Sequence, residues 1–363
     1  MMKLSTLKFR HIYLVIVVVV LFCPIVVTTI SQSKNENYNA PAVMVFGDSI
    51  FDTGNNNYIG TFFRADFKPY GRDFIGGKPT GRFSDGKLPS DFFAEILGLK
   101  DTLPPYLDPN LKIEDLLTGV SFASAGSGYD PLTIRISLAL SIKDQLNLFK
   151  EYIEKLKVAV GEEKTNSIIA QSIFMISMGN NDIGVTYFLT PFRRNKLDIE
   201  EYSNMLVNMS SNFLQELYQL GARRIGILSL PPLGCVPLHR TLGGGQGRNC
   251  VEAVNQAAML YNSKLSSSIT ALRKSLKDAK LGYFETYNEL NEIIQRYNRF
   301  GFTVEGSSCC GIVNLELGFL CSVTLQVCED ASRYVFWDAY HPTEKAYHIL
   351  VTNIMKKNMN KLV

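Results

Sequence analysis

From about residue 40 onward, short apolar runs alternate with longer stretches of helical periodicity. A run of about five apolar residues bounded by turn formers reads as a buried strand, and strands alternating with helices are the order of βαβ units and a parallel sheet. The runs predict strands over residues 42–46, 119–123, 173–177, 224–230 and 281–286. Between residues 250 and 276, Val251, Val254, Ala258, Tyr261, Leu265, Ile269, Leu272 and Leu276 recur every three or four positions, predicting one long helix with a single face against a sheet. Another helix is predicted over 201–220, stopped by Gly221. With no internal repeat and no low-complexity linker, the pattern predicts one α/β domain over residues 41–360. Its mostly parallel five-stranded sheet carries helices on both faces.

The connections are uneven. About 70 residues separate the first two predicted strands, including "YGRDFIGGKPTGRFSDGKLPSDFF", and residues 300–333 form a second irregular insertion. Long insertions of this kind lie on the surface and are often functional, so both are expected to roof a cleft.

The N-terminus has a different pattern. Lys3, Lys8 and Arg10 precede an apolar stretch over residues 12–22, then Pro24 and small polar residues up to Ser31. This is the layout of a secretory signal peptide, residues 1–31, leaving a short lead over 32–40. An uncleaved anchor is the alternative, because the stretch approaches the ~17–25 apolar residues that span a bilayer. No later segment is long and apolar enough to span, so no membrane span is expected after cleavage.

Charge and cysteine usage fit that reading. The formal net charge of +3 comes from the three basic residues of the leader; without them 34 basic residues face 34 acidic ones, so no basic stripe points to nucleic acid. Beyond Cys23 there are Cys235, Cys250, Cys309, Cys310, Cys321 and Cys328, an even set that suggests three disulfides in an oxidising compartment. Cys235 and Cys250 bracket the glycine-rich run "TLGGGQGRNC", expected to be a mobile loop, and are expected to pair. A bond between the neighbours Cys309 and Cys310 is geometrically poor, which leaves two pairings open for the last four. The spacings do not match a zinc cluster, and no metal or other cofactor is expected. Asn208 opens the one sequon, Asn-Met-Ser, and is a candidate N-glycosylation site.

In open α/β sheets, ligands bind beyond the carboxyl ends of the strands. There the chain places Gly47-Asp48-Ser49, Ala125-Gly126-Ser127-Gly128 and Gly179-Asn180-Asn181-Asp182. Acyl transfer needs an oxygen nucleophile, a base, a group that orients the base, and donors for the oxyanion. Ser49 suits the first role, and its backbone N–H, that of Gly126 and the Asn181 amide suit the last. His341, three residues after Asp338 in "FWDAYHPTEKAYHIL", is the candidate base, with Asp338 as the orienting acid. His11 lies in the leader, His239 beside a proline-rich turn and His348 in the last helix. Taken alone, a serine after Gly-Asp is more often a helix cap than a nucleophile. Asp182 reads as a turn residue capping the segment after it, and Asp52, Asn55 and Asn56 as turn or cleft residues. Trp337 is expected to pack behind the Asp338–His341 turn.

The segments "FGDSIFDTGNNN", "GRFSDGKLPSDFFAEILGL", "GVSFASAGSGYD", "ISMGNNDIG", "LPPLGCVP" and "FWDAYHPTEKAYHIL" occur in that order over about residues 41–355. In this the chain resembles the GDSL-type esterase/lipases of the SGNH hydrolase superfamily, and within them the secreted plant branch of extracellular lipase-like proteins. The resemblance implies a three-layer, flavodoxin-like α/β/α SGNH hydrolase fold and a carboxylic ester hydrolase acting through an acyl-enzyme. It places the nucleophile at Ser49, the acid and base at Asp338 and His341, and oxyanion donors at Gly126 and Asn181. It also implies an extracellular or cell-wall location, and a small-molecule or polymer-linked ester as substrate.

Three residues depart from the family pattern: Ile50 where leucine is usual, Ser121 where asparagine is usual, and Ala125 where glycine is common. They motivate an alternative, a non-catalytic protein that binds acyl or wall ligands on the same fold. An acyltransferase using the same triad is a third reading. The acyl chain, the alcohol part and the oligomeric state are left open.

Overall fold

The computed structural model describes residues 38–311, 321 and 326–363. The expected signal segment, with Cys23 and most of the lead, lies outside the described residues. Four short strands, β1 (Val43–Gly47), β2 (Ile173–Ser177), β3 (Arg224–Leu228) and β4 (Lys280–Phe284), pair in parallel in the order β1-β2-β3-β4. β1 and β2 are buried along their whole length, as continuous apolar strands in a parallel sheet must be. Between β1 and β2 run α1 (Pro89–Ile96), α2 (Ile113–Thr118), α3 (Pro131–Ser137), α4 (Ile142–Val160) and α5 (Glu162–Gln171). α6 (Pro191–Arg194) and α7 (Ile199–Gln219) lead to β3, and α8 (Pro237–Gly243) and α9 (Glu252–Ser275) to β4. α10 (Tyr287–Gln295), the parallel pair β5 (Val304–Ser308) and β6 (Tyr334–Phe336), and α11 (Glu344–Asn358) complete the compact unit Tyr38–Val363.

The expected strand over 119–123 does not form. The segment lies alongside β1, with the Val45 N–H donating to Val120 O and the Phe122 N–H to Val45 O. On its other side the Ser121 N–H donates to Pro104 O, Ser121 O accepts the Tyr106 N–H, and the Asn55 side-chain amide donates to the carbonyls of Ser121 and Ala123, each at 2.8 Å. The segment keeps two isolated bridges, Ser121 to Val45 and Ser121 to Pro105, and the sheet has four strands among the described residues instead of five.

Both predicted long helices are present with shifted ends. α7 starts two residues early because Asp198 and Glu201 form a reciprocal capping box. α9 starts two residues late because Cys250 is bonded to Cys235 and the Val251 N–H donates to Gly234 O. Its residues Val254, Ala258, Tyr261, Leu265 and Ile269 are buried in the core. On the opposite flank, Phe46 of β1 stacks on Phe122 at 4.9 Å and meets Phe149 of α4 edge-on at 5.6 Å.

The long insertion after β1 is pinned by one buried cation. Arg82 forks onto Asp91 at the start of α1 with bonds of 2.8 and 2.7 Å, and also donates to the carbonyls of Thr53 and Leu103. Buried charge is tolerated only when paired and hydrogen-bonded; the bond to Thr53 O ties the insertion to the loop that follows β1, and those to Asp91 and Leu103 O hold the insertion on itself.

Candidate active site

The first loop is built around Asp48. Its carboxylate accepts the Ile50 N–H at 3.1 Å and the Asn180 amide at 2.8 Å, while its carbonyl accepts the N–H groups of Phe51 and Asp52. Burial pushes its carboxyl up to about 6, opposed chiefly by the bond from Asn180. Asp48 therefore closes this turn, and Ser49 has no capping work to do. The Ser49 hydroxyl instead lies 2.8 Å from Nε2 of His341, 292 residues further along the chain.

His341 sits in the turn between β6 and α11. The Trp337 N–H donates to His341 O at 2.7 Å, and Oδ1 of Asp338 accepts the N–H groups of Tyr340 and His341. Both carboxylate oxygens lie 2.9 Å from His341 Nδ1. The second of them also accepts the hydroxyl of Tyr70 at 2.9 Å. Ser49, Asp338 and His341 are all buried, and Phe83 covers the imidazole with ring centres 5.0 Å apart. Trp337 is fully buried and packs edge-on against Tyr70.

The second loop brings in Gly126, whose φ of +83° and whose distance of 2.8 Å between a would-be Cβ and Ser137 Cβ leave room for glycine alone. Its neighbour Ala125 is clamped from the first loop. The Ala125 N–H donates to Asp52 Oδ2 at 2.8 Å, and Ala125 O accepts the Asn56 amide at 2.9 Å. Asp52, Asn55 and Asn56 thus serve backbone groups. Ser121 donates its hydroxyl to Phe51 O, away from the cleft.

From the third loop, Asn181 lines the same small cleft as Ser49, Gly126 and His341, and its amide donates to Ser127 O at 2.9 Å. Asn180 faces inward to Asp48. Asp182 does not cap the segment after it: its carboxylate reaches across to the N–H groups of Tyr129 and Asp130 and the Thr133 hydroxyl, joining the third loop to the second. Burial is the main cause that pushes this carboxyl up to about 7. Gly128 allows the approach, since a Cβ there would lie 2.4 Å from Asp182 Oδ1.

The GDSL-like lipase/acylhydrolase family model matches residues 43–354 of this chain. The chain belongs to the GDSL lipase/acylhydrolase family. This GDSL protein is an ester hydrolase. It is 48% identical to GDSL esterase/lipase EXL3 of Arabidopsis thaliana over 324 residues, 89% of each chain. It is also 48% identical to GDSL esterase/lipase At3g14820 of the same plant over 337 residues, 93% of this chain and 95% of that one. Among solved structures, phospholipase A1 from Streptomyces albidoflavus NA297 aligns at a TM-score of 0.40 and 14% identity, covering 88% of this chain and 99% of that one.

Disulfides frame the site of this GDSL hydrolase. Cys235 bonds to Cys250, Cys309 to Cys328 and Cys310 to Cys321. The last two resolve the pairing that spacing left open, and both lie behind the Asp338–His341 turn, where the N–H groups of Cys309 and Cys310 donate to Phe336 O and Trp337 O. The glycine-rich loop after α8 is tied down: Arg248 donates to Ser307, to Gly306 O of β5 and to Thr241. His239 is buried in α8, where desolvation pushes it down to about 4, and His348 packs in α11 against Phe92. Among the described residues, no group of three or more His, Cys, Asp or Glu is placed to hold a metal ion. Nor is any described helix long and apolar enough to cross a membrane.

Proposed function

We propose that Ser49, His341 and Asp338 hydrolyse a carboxylic ester through an acyl-enzyme. The observation that carries this reading is the continuous contact from Ser49 Oγ through the imidazole to Asp338, at 2.8 and 2.9 Å. His341 Nε2 takes the hydroxyl proton as Ser49 Oγ attacks the ester carbonyl carbon. Negative charge then gathers on the carbonyl oxygen. The backbone N–H groups of Ser49 and Gly126 and the amide of Asn181 stabilise it, after the amide leaves Ser127 O. The tetrahedral intermediate collapses, and the alcohol departs with the proton held by His341. A water then gives its proton to His341 as it attacks the acyl-enzyme carbonyl, and the second tetrahedral intermediate collapses to release the acid while His341 returns that proton to Ser49 Oγ.

Asp338 holds the imidazole so that Nδ1 keeps its proton, and it stabilises the imidazolium formed in each half-reaction. Secretion to the extracellular space or cell wall is part of this reading, supported by the leader pattern and by three disulfides. Asn208 is exposed on α7 and is the proposed glycan carrier. Turnover of p-nitrophenyl acetate by the purified protein, and its loss in His341→Ala, is the expected result. A His341→Ala variant as active as the unmodified protein overturns the reading.

A further inference from the structure

Asp338 is satisfied by donors from two parts of the chain. Oδ1 takes the N–H groups of Tyr340 and His341 from its own turn. Oδ2, besides facing His341 Nδ1, takes the Tyr70 hydroxyl from the long insertion, 268 residues earlier. Tyr70 is wholly buried, and its oxygen accepts the Cys321 N–H at 3.1 Å. Cys321 is bonded to Cys310, whose own N–H donates to Trp337 O immediately before Asp338. With one lone pair of the phenol engaged by Cys321, the hydroxyl proton is directed at Oδ2. Burial and the neighbouring Asp338 charge push the phenol well above its ordinary value, so it remains a donor.

We infer that Tyr70 is a positioning residue for ester hydrolysis, fixing the orientation and basicity of Asp338 and, through it, of His341; this rests on the functional reading above. A neutral donor on Oδ2 draws charge away from the face that His341 meets. Without it the carboxylate is more basic and less firmly held. The imidazolium is then over-stabilised, and the base stays protonated to a higher pH.

Tyr70→Phe keeps the ring packing against Phe83 and Trp337 and removes only the hydroxyl. Loss of a hydrogen bond to a charged group is expected to lower kcat about ten- to a hundredfold. KM is expected to change little, because Tyr70 does not line the cleft. The acid limb of the kcat/KM profile moves to higher pH. Site-specific 3-fluorotyrosine at position 70, a stronger donor with nearly the same shape, moves that limb to lower pH. It also serves as the test if Tyr70→Phe does not fold.

Displacements of the limb in these two directions, measured with p-nitrophenyl acetate, are the expected result. A limb unmoved in the fluorotyrosine protein, or in a folded Tyr70→Phe that loses only its active fraction, overturns the inference and leaves ester hydrolysis standing. An unmodified protein with no Ser49-dependent turnover overturns the functional reading and this inference with it.

Discussion

Replacing Asp52 with asparagine separates the hydrogen bonds this residue makes from the charge it carries. Asp52 is fully buried and accepts the N–H groups of Gly54 and Asn55 on one oxygen and of Ala125 on the other. Asparagine offers one acceptor where the loop uses two, so at least one buried N–H meets an amide donor, a loss of about 1–3 kcal/mol at any pH. The charge acts in the opposite direction. Burial pushes the carboxyl from its ordinary 3.8 up to about 6, so ionising it in the folded protein costs about 3 kcal/mol at about 1.4 kcal/mol per pH unit. Because the folded value lies above the unfolded one, the associated stability is fully present below about pH 4 and is lost as the pH rises through about 6.

Asparagine does not titrate, so the penalty is absent from the variant. Asp52→Asn is therefore expected to be destabilising near pH 4.5 and to gain about 2 kcal/mol on the unmodified protein by about pH 8. Urea unfolding at the two pH values, followed by the fluorescence of Trp337, the one tryptophan and a wholly buried one, reads this difference. A stability difference between variant and unmodified protein that is the same at both pH values refutes the reasoning.

Two further changes probe the frame and the cleft. Arg82→Met leaves Asp91 buried without its cation and is expected to cost about 3–5 kcal/mol, read as a lower urea midpoint. Asn181→Ala is expected to lower kcat about 10²–10³-fold with KM nearly unchanged, measured with p-nitrophenyl acetate, because the amide acts on charge that develops only in the transition state.

The strands were legible because a parallel strand buried on both faces is a continuous apolar run, as in Val43–Gly47 and Ile173–Ser177. The edge segment 119–123 has the same look, but it meets its neighbours through isolated bridges and through the side chain of Asn55, more than 60 residues away, and periodicity carries no trace of those contacts. Ser49, Gly126 and Asn181 were legible because each follows a strand or strand-like segment at the carboxyl end of the parallel sheet, and the Asp338–His341 turn because an acid stands three residues before a histidine at the start of the last helix. The residues holding those loops were not. Asp52, Asn56 and Asp182 act on backbone groups in other loops, and Tyr70 acts on Asp338 from the far insertion. A turn-rich stretch such as "DTGNNN" signals side chains that serve backbone groups, but not which backbone they serve.

Reaction with a fluorophosphonate followed by peptide mapping tests the role of Ser49 most directly. The folded, disulfide-intact protein is predicted to carry the phosphonyl group on Ser49 and to lose labelling in both Ser49→Ala and His341→Ala. A label on another residue, or undiminished labelling of Ser49→Ala, contradicts it.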